Sequence, residues 1–245
     1  QLLRNEAEAE DFFRHQNKAY LFQEYSAYPY EYGVLFYRLP GEPQGKVISL
    51  TGKAFMQVKG DGKSTIRELM ETNYRFAQQI ERLQTIRDLD AVPEKGKTLV
   101  LEPIGNHCRG TEFTNENHLI NPQVHACFSD IAKEMNGFYF GRFDLKAKDP
   151  SDLETGEHLH VMEVNGTTSE PGHIYSQGYG VIAAYRTIFL CMKLVYQIAV
   201  INHQNGIAYA SFSEFFRLVS HHFFPNWMKK PQTSHTNESA RPLYS

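Results

Sequence analysis

Asp144, Glu163 and Asn165 are the residues whose types and spacing most directly suggest chemistry. They lie in two apolar segments, Phe138-Tyr-Phe-Gly-Arg142-Phe-Asp144 and Leu159-His-Val-Met-Glu163-Val-Asn165. Successive side chains of a β-strand point to opposite faces, so Arg142 and Asp144 share one face, as do Glu163 and Asn165. Carboxylates in such strands need partners, because burying an unpaired one is very costly. If the strands pair through the polar Asp-Pro-Ser-Asp loop between them, the three oxygen-bearing side chains converge with Arg142 beside them. An all-oxygen set of this kind suits Mg²⁺, which keeps coordination positions open for substrate phosphates. The same residues would also make an ordinary arginine–carboxylate bridge between strands, and spacing alone does not separate the two readings.

Other chemistry-bearing patterns are weaker. Gly60-Asp-Gly62-Lys63-Ser64 ends like a phosphate-binding loop, but Gln57 stands where G-x-x-x-x-G-K-[ST] requires its first glycine, so it reads as a turn and helix start. Gly105-Asn-His-Cys-Arg-Gly110 is a polar loop bounded by glycines. The eleven histidines show no zinc spacing, and no G-x-S-x-G accompanies the serines. Three cysteines, Cys108, Cys127 and Cys191, form no C-x-x-C, which fits a reducing, cytoplasmic compartment.

The elements that must position these residues can be read from periodicity. A helix is expected over Asn5 to Gln16. Strands are expected over Ala19 to Tyr25, Glu31 to Leu39, Lys46 to Leu50, Ala54 to Val58 and Thr98 to Glu102, with Gly41-Glu-Pro-Gln-Gly45 as a turn. Thr65-Ile-Arg-Glu68 is a capping box that opens a helix, and helical periodicity continues from Tyr74 to Ile86. Asn121-Pro122 starts another helix, expected to run to Asn136 before Gly137. Strands then resume at Phe138 to Leu145 and His158 to Asn165. Beyond Tyr179 the pattern is helical to about Phe224, with a break at Asn202 to Gly206.

With 245 residues, 41% apolar and 22% charged, the chain has the composition of a globular protein with a substantial core. Its net charge of −3 supplies no positive field for a nucleic-acid backbone. Val181 to Ile201 is the longest apolar stretch, but Arg186 and Lys193 interrupt it, so a buried or interfacial helix is expected there and no membrane span.

The string GRFD, then EVNGTTSEPGHIY, with LFQEYSAYPYEYGV upstream, resembles the ATP-grasp superfamily, specifically its D-alanine:D-alanine ligase-like carboxylate–amine ligases. The similarity runs from about Tyr20 to Tyr175. It implies an α+β ATP-grasp fold of antiparallel sheets with packed helices, ATP and Mg²⁺ as cofactors, and small-molecule carboxylate and amine substrates. It further implies that Gln23, Glu24, Tyr25, Ser26 and Ala27 form a hinge strand at the adenine edge. Glu31 then corresponds to the ribose-binding acid and Lys53 to a lysine that meets the terminal phosphates. Asp144, Glu163 and Asn165 carry over as metal ligands, and Arg142 as the catalytic cation at the acyl phosphate and tetrahedral oxyanion.

The resemblance also implies a substrate domain and a first half-sheet before the hinge, of which this chain carries almost nothing. An N-terminally incomplete fold is therefore expected, with residues 1–225 as the ATP-grasp domain and 226–245 as a disordered tail. The chain assayed alone is expected to be inactive and, through exposed apolar surface, to self-associate as a homo-oligomer or be poorly soluble. A non-catalytic nucleotide-binding or interaction domain and an ATP-grasp phosphotransferase are the alternatives.

Overall fold

The computed structural model describes residues 3–15, 20–102, 105 and 109–223, with side chains through Ser220. It is an α+β arrangement of antiparallel sheets and helices. The chain divides into two units, residues 1–201 and 202–245.

The first unit is built on a five-stranded sheet. Its strands are β1 (Tyr30–Tyr37), β2 (Lys46–Ala54), β5 (Glu112–Asn115), β6 (Phe140–Ala147) and β7 (Leu159–Asn165), in the order β5-β2-β1-β6-β7 and antiparallel throughout. Alternation along these strands gives the sheet two different faces. One presents Val34, Phe36, Phe143 and Leu145 to helix α5 (Pro122–Lys133), which contributes Val124, Phe128 and Ala132. Each of the buried valine, leucine and phenylalanine side chains among them is worth roughly 1.5–3 kcal/mol in burial. Helix α5 begins as its sequence suggests, with the Asn121 side chain accepting from Val124 N and Pro122 in the first turn. Two further bonds tie it to the β1–β2 hairpin, Gly45 N to Ser129 Oγ at 2.9 Å and Val47 N to His125 Nδ1 at 3.1 Å.

The opposite face carries apolar residues at one end and charged residues at the other. At the apolar end Leu35 and Phe140 pack against Cys191, Leu194 and Ile198 of helix α7 (Val181–Gln204). This helix is long and apolar enough to cross a membrane by length and composition, and Arg186 and Lys193 lie within it.

A separate two-stranded antiparallel sheet, β3 (Met56–Lys59) with β4 (Thr98–Glu102), packs over its own small core of Met56, Val58, Ile66, Met70, Leu83, Leu89 and Leu101. Helix α2 (Ile66–Glu71) begins at the Thr65/Glu68 capping box, with both reciprocal bonds present. Gly60 to Ser64 is a turn in which Asp61 accepts from Ser64 N, Ser64 Oγ and Lys63 N, and those bonds hold its carboxyl pKa down at about 2.

The other helices of the first unit are α1 (Glu6–Arg14), two four-residue turns, α3 (Tyr74–Ala77) and α4 (Ile80–Leu83), and α6 (Asp152–Thr155). The second unit takes in the end of α7, where His203 stacks on Tyr209, and helix α8 (Phe212–Phe223), capped reciprocally by Ser211 and Glu214. The expected tail at 226–245 lies outside the described residues.

Three expectations need correction. Residues 20–25 form no strand, because no other described segment runs alongside to complete their backbone ladder. The two short strands expected within 46–58 are a continuous β2 that turns at Phe55 into β3. The helix expected over 74–86 is the pair α3 and α4. Asn73 caps the first, and the Gln79 N–H to Phe76 carbonyl bond tightens the chain between them, so that Phe76, Ile80 and Leu83 all reach the small core.

Candidate functional site

Register places the charged residues in rows across the polar end of the sheet. Thr51 of β2 pairs with Gly33 of β1, Gly33 with Asp144 of β6, and Asp144 with Glu163 of β7. Directly paired residues share a face, so this row presents Thr51, Asp144 and Glu163 together over a central glycine. The next row toward α7 holds Ser49, Leu35, Arg142 and Asn165, and on the other side Glu31 pairs with Lys146.

Asp144 is the hub. Arg142 grips both its oxygens, with Nε to Oδ1 at 3.1 Å and Nη2 to Oδ2 at 2.9 Å. Asn165 Nδ2 donates to Oδ2 at 2.9 Å, and Lys53 Nζ approaches Oδ1 at 3.2 Å while donating to Glu31 Oε1 at 3.0 Å. Asp144 and Glu31 are both buried, and these cations are what makes that tolerable: removing one partner of a buried pair typically costs about 3–5 kcal/mol. To reach Asp144, Lys53 must pass over β1, and Gly33 provides the passage, since a Cβ there would stand 3.3 Å from Asp144 Oδ1 and from Arg142 Cδ. Gly105 is fitted still more tightly, its backbone lying against Glu31 and Lys53 where a Cβ would collide with the Glu31 carboxylate.

All of these residues except Asn165 line a cleft of about 630 Å³. Leu21 and Gln23 stand in its wall together with Glu31, Lys53, Asp144 and Glu163. Glu163 is exposed and makes no ion pair with another described residue. The Thr51 hydroxyl is buried in the wall with no hydrogen-bond partner among the described residues. Behind it, the 3-10 turn Gly172–Tyr175 is fastened to β2 by buried His173, whose Nδ1 lies 2.6 Å from Ser49 Oγ and whose Nε2 lies 3.2 Å from Tyr179 Oη. Burial lowers the pKa of this imidazole.

Arg142, Asp144 and Asn165 are thus in contact, Lys53 and Glu31 join them, and Glu163 faces the same cleft. Of the hinge residues only Gln23 lines it. Glu24 and Ala27 are exposed, while Tyr25 and the Ser26 carbonyl instead receive the Lys146 ammonium, 5.5 Å from the ring centroid and 3.3 Å from the oxygen. Among the described residues no three His, Cys, Asp or Glu side chains form a metal-holding group. The donor chemistry nevertheless fits Mg²⁺: two carboxylates and an amide offer hard oxygen ligands, and Mg²⁺ is usually held by one or two carboxylates with phosphate and water completing the shell. Charge fits as well. Three carboxylates, Glu31, Asp144 and Glu163, outnumber the cations Lys53 and Arg142 at the cleft, so a polyphosphate entering alone would meet net repulsion that a divalent cation relieves.

The chain is similar to a bifunctional glutathione synthetase from Pasteurella multocida, at 16% identity and a TM-score of 0.42, over 68% of this chain and 24% of that one. This chain therefore spans about a quarter of that protein's length. No protein-family model matches the sequence, and no curated protein does.

Sequence reasoning missed Gly33, Thr51, Lys146 and the Gly172–His173 turn. Three of these had a signal. A glycine inside an apolar strand marks close approach by another group, and Thr51 lies two residues before Lys53, hence on its face. Lys146, two residues beyond Asp144, was legible in the same way.

Proposed function

We propose that this chain carries the nucleotide- and metal-binding face of an ATP-grasp enzyme that ligates a carboxylate to an amine. The observation that supports it best is the shared face: Glu31, Lys53, Arg142, Asp144, Glu163 and Asn165 come from four strands, yet all belong to one charged network or the cleft wall beside it. A plain inter-strand salt bridge needs two of these residues and leaves the other four unexplained.

In this reading Gln23 lies toward the base, Glu31 accepts from the ribose hydroxyls, and Lys53 turns from Glu31 and Asp144 to the terminal phosphates. Asp144, Glu163 and Asn165 would hold Mg²⁺, which when bound supplies positive charge that polarises phosphoryl oxygens. A carboxylate oxygen attacks the γ-phosphorus as the bond to ADP breaks, giving an acyl phosphate. An amine then attacks the acyl carbon. The C–N bond forms, the C–O bond to phosphate breaks, phosphate leaves with the electron pair and the amine proton passes to solvent. Arg142, fixed by its two-pronged grip on Asp144, is placed to stabilise negative charge at both steps.

Titration of the chain with the non-hydrolysable analogue AMP-PNP in Mg²⁺ tests this reading. Saturable binding that adenosine competes for is expected, and absence of binding overturns it. One observation favours a non-catalytic alternative: Asp144 already has Lys53, Arg142 and Asn165 on its oxygens, a closed network that could serve structure alone. Binding that is indifferent to Mg²⁺ would support that alternative.

A further inference from the structure

Lys146 follows Asp144 by two residues on β6, hence on the same face, and its register partner on β1 is Glu31. Glu31 nevertheless pairs with Lys53, and the Lys146 ammonium turns the other way. It donates to the Ser26 carbonyl at 3.3 Å and lies 5.5 Å from the centre of the Tyr25 ring and 5.4 Å from that of Phe55. Lys146 is buried and forms no ion pair with another described residue. A buried ammonium is costly unless its donors and charge find partners, and two of those found here belong to residues 20–27. This segment pairs with no strand, so no ladder of backbone bonds holds it to the sheet. Its Leu21 and Gln23, spaced to share one side of an extended chain, stand in the cleft wall with Glu31.

We infer that Lys146 is the positioning residue for the nucleoside end of the cleft. By holding residues 20–27 against β6 it sets where Leu21 and Gln23 stand, and so governs affinity for base and ribose while leaving affinity for the phosphates alone. The inference rests on the nucleotide-binding reading given above. Three features carry it. Lys146 lies outside the cleft lining, so it acts through the segment it holds. Its hold depends on charge, because the carbonyl bond and the attraction of the two rings both need a cation, and a neutral side chain of similar length keeps the packing but loses both. Finally, the phosphate end is organised separately: Lys53, Arg142 and Asp144 are tied to one another and to Glu31 by bonds in which Lys146 takes no part.

Calorimetric titration of the whole chain in Mg²⁺ with adenosine, inorganic tripolyphosphate and AMP-PNP reports the two ends separately. Lys146→Met is expected to weaken adenosine and AMP-PNP by about tenfold each while tripolyphosphate stays within about twofold, which also shows that the variant folds. Lys146→Arg keeps a cation for the rings and donors for the carbonyl, and should return adenosine to within about threefold of the unmodified chain. A lysine that merely supports the sheet would lower all three probes together. That result overturns the inference, as do unchanged adenosine affinity in Lys146→Met and equal loss in Lys146→Arg. Should Lys146→Met fail to fold, Tyr25→Ala, at an exposed position, removes one ring from the ammonium. It should weaken adenosine by about threefold with tripolyphosphate unchanged, and unchanged adenosine affinity there overturns the inference too. An unmodified chain that binds neither adenosine nor AMP-PNP overturns the nucleotide-binding reading itself, whereas one that binds both and is indifferent to Lys146 overturns the positioning role alone.

Discussion

Lys53 Nζ and Asp144 Oδ1 stand 3.2 Å apart although a whole strand, β1, lies between their own strands, and Gly33 is the residue they meet across. A Cβ at that position would stand 3.3 Å from both Asp144 Oδ1 and Arg142 Cδ, so a branched side chain there must push them aside. Gly33→Val should therefore part Lys53 from Asp144 and weaken AMP-PNP binding by about tenfold or more. Titration of the variant checks this, with circular dichroism confirming that the sheet persists.

Metal dependence follows from the charge balance of the cleft. Chelation of Mg²⁺ with EDTA should weaken AMP-PNP binding by about tenfold or more, and Asp144→Asn should make affinity nearly insensitive to the metal. Under the proposed ligase function, the same substitution should lower turnover more than nucleotide affinity, because charge develops chiefly in the transition state. Equal loss of both would argue that Asp144 only builds the pocket.

Much of this arrangement was legible in the sequence, for physical reasons. The two-residue period of strands is rigid, so Arg142 with Asp144 and Glu163 with Asn165 had to emerge together, and each cap of Thr65 and Asn121 is a local bond written in adjacent residues. What was not legible depends on partners distant in sequence. Residues 20–25 have strand-like composition, but a strand also needs a neighbour, which composition does not report. The continuity of β2 through Gly52 rests on its pairing with Thr114. The docking of His173 on Ser49 joins positions more than a hundred residues apart, and no local pattern announces it.

Two histidines, one buried and one partly buried, make stability depend on acidity. Burial lowers the pKa of both His173 and His125 below the ordinary value, and His125 Nδ1 must be unprotonated to accept from Val47 N. The unfolded chain therefore binds protons at these sites at a higher pH than the folded chain does. Stability is fully present above the ordinary histidine range and falls as pH drops through it, by at most about 1.4 kcal/mol per pH unit for each histidine. Thermal melts between pH 7.5 and 5.5 should show Tm falling with acidity, and His125→Gln should reduce the slope.

The cap of α5 offers a test of the scaffold that leaves the site alone. Asn121 accepts from Val124 N and donates to Glu154 at 2.7 Å, so Asn121→Ala removes both bonds and should cost about 1–2 kcal/mol by denaturant titration. AMP-PNP affinity should not change.

Glu163 separates function from structure most cleanly, because it lines the cleft but is exposed and forms no ion pair with another described residue. A surface substitution of that kind usually alters stability by less than about 0.5 kcal/mol. The decisive measurement is AMP-PNP titration of Glu163→Gln beside the unmodified chain, both in Mg²⁺ and both with their Tm recorded. If Glu163 holds the metal that carries the phosphates, affinity drops by about tenfold or more while Tm stays put. Unchanged affinity in a chain that otherwise binds nucleotide would contradict the assignment of this face to metal-assisted phosphate binding.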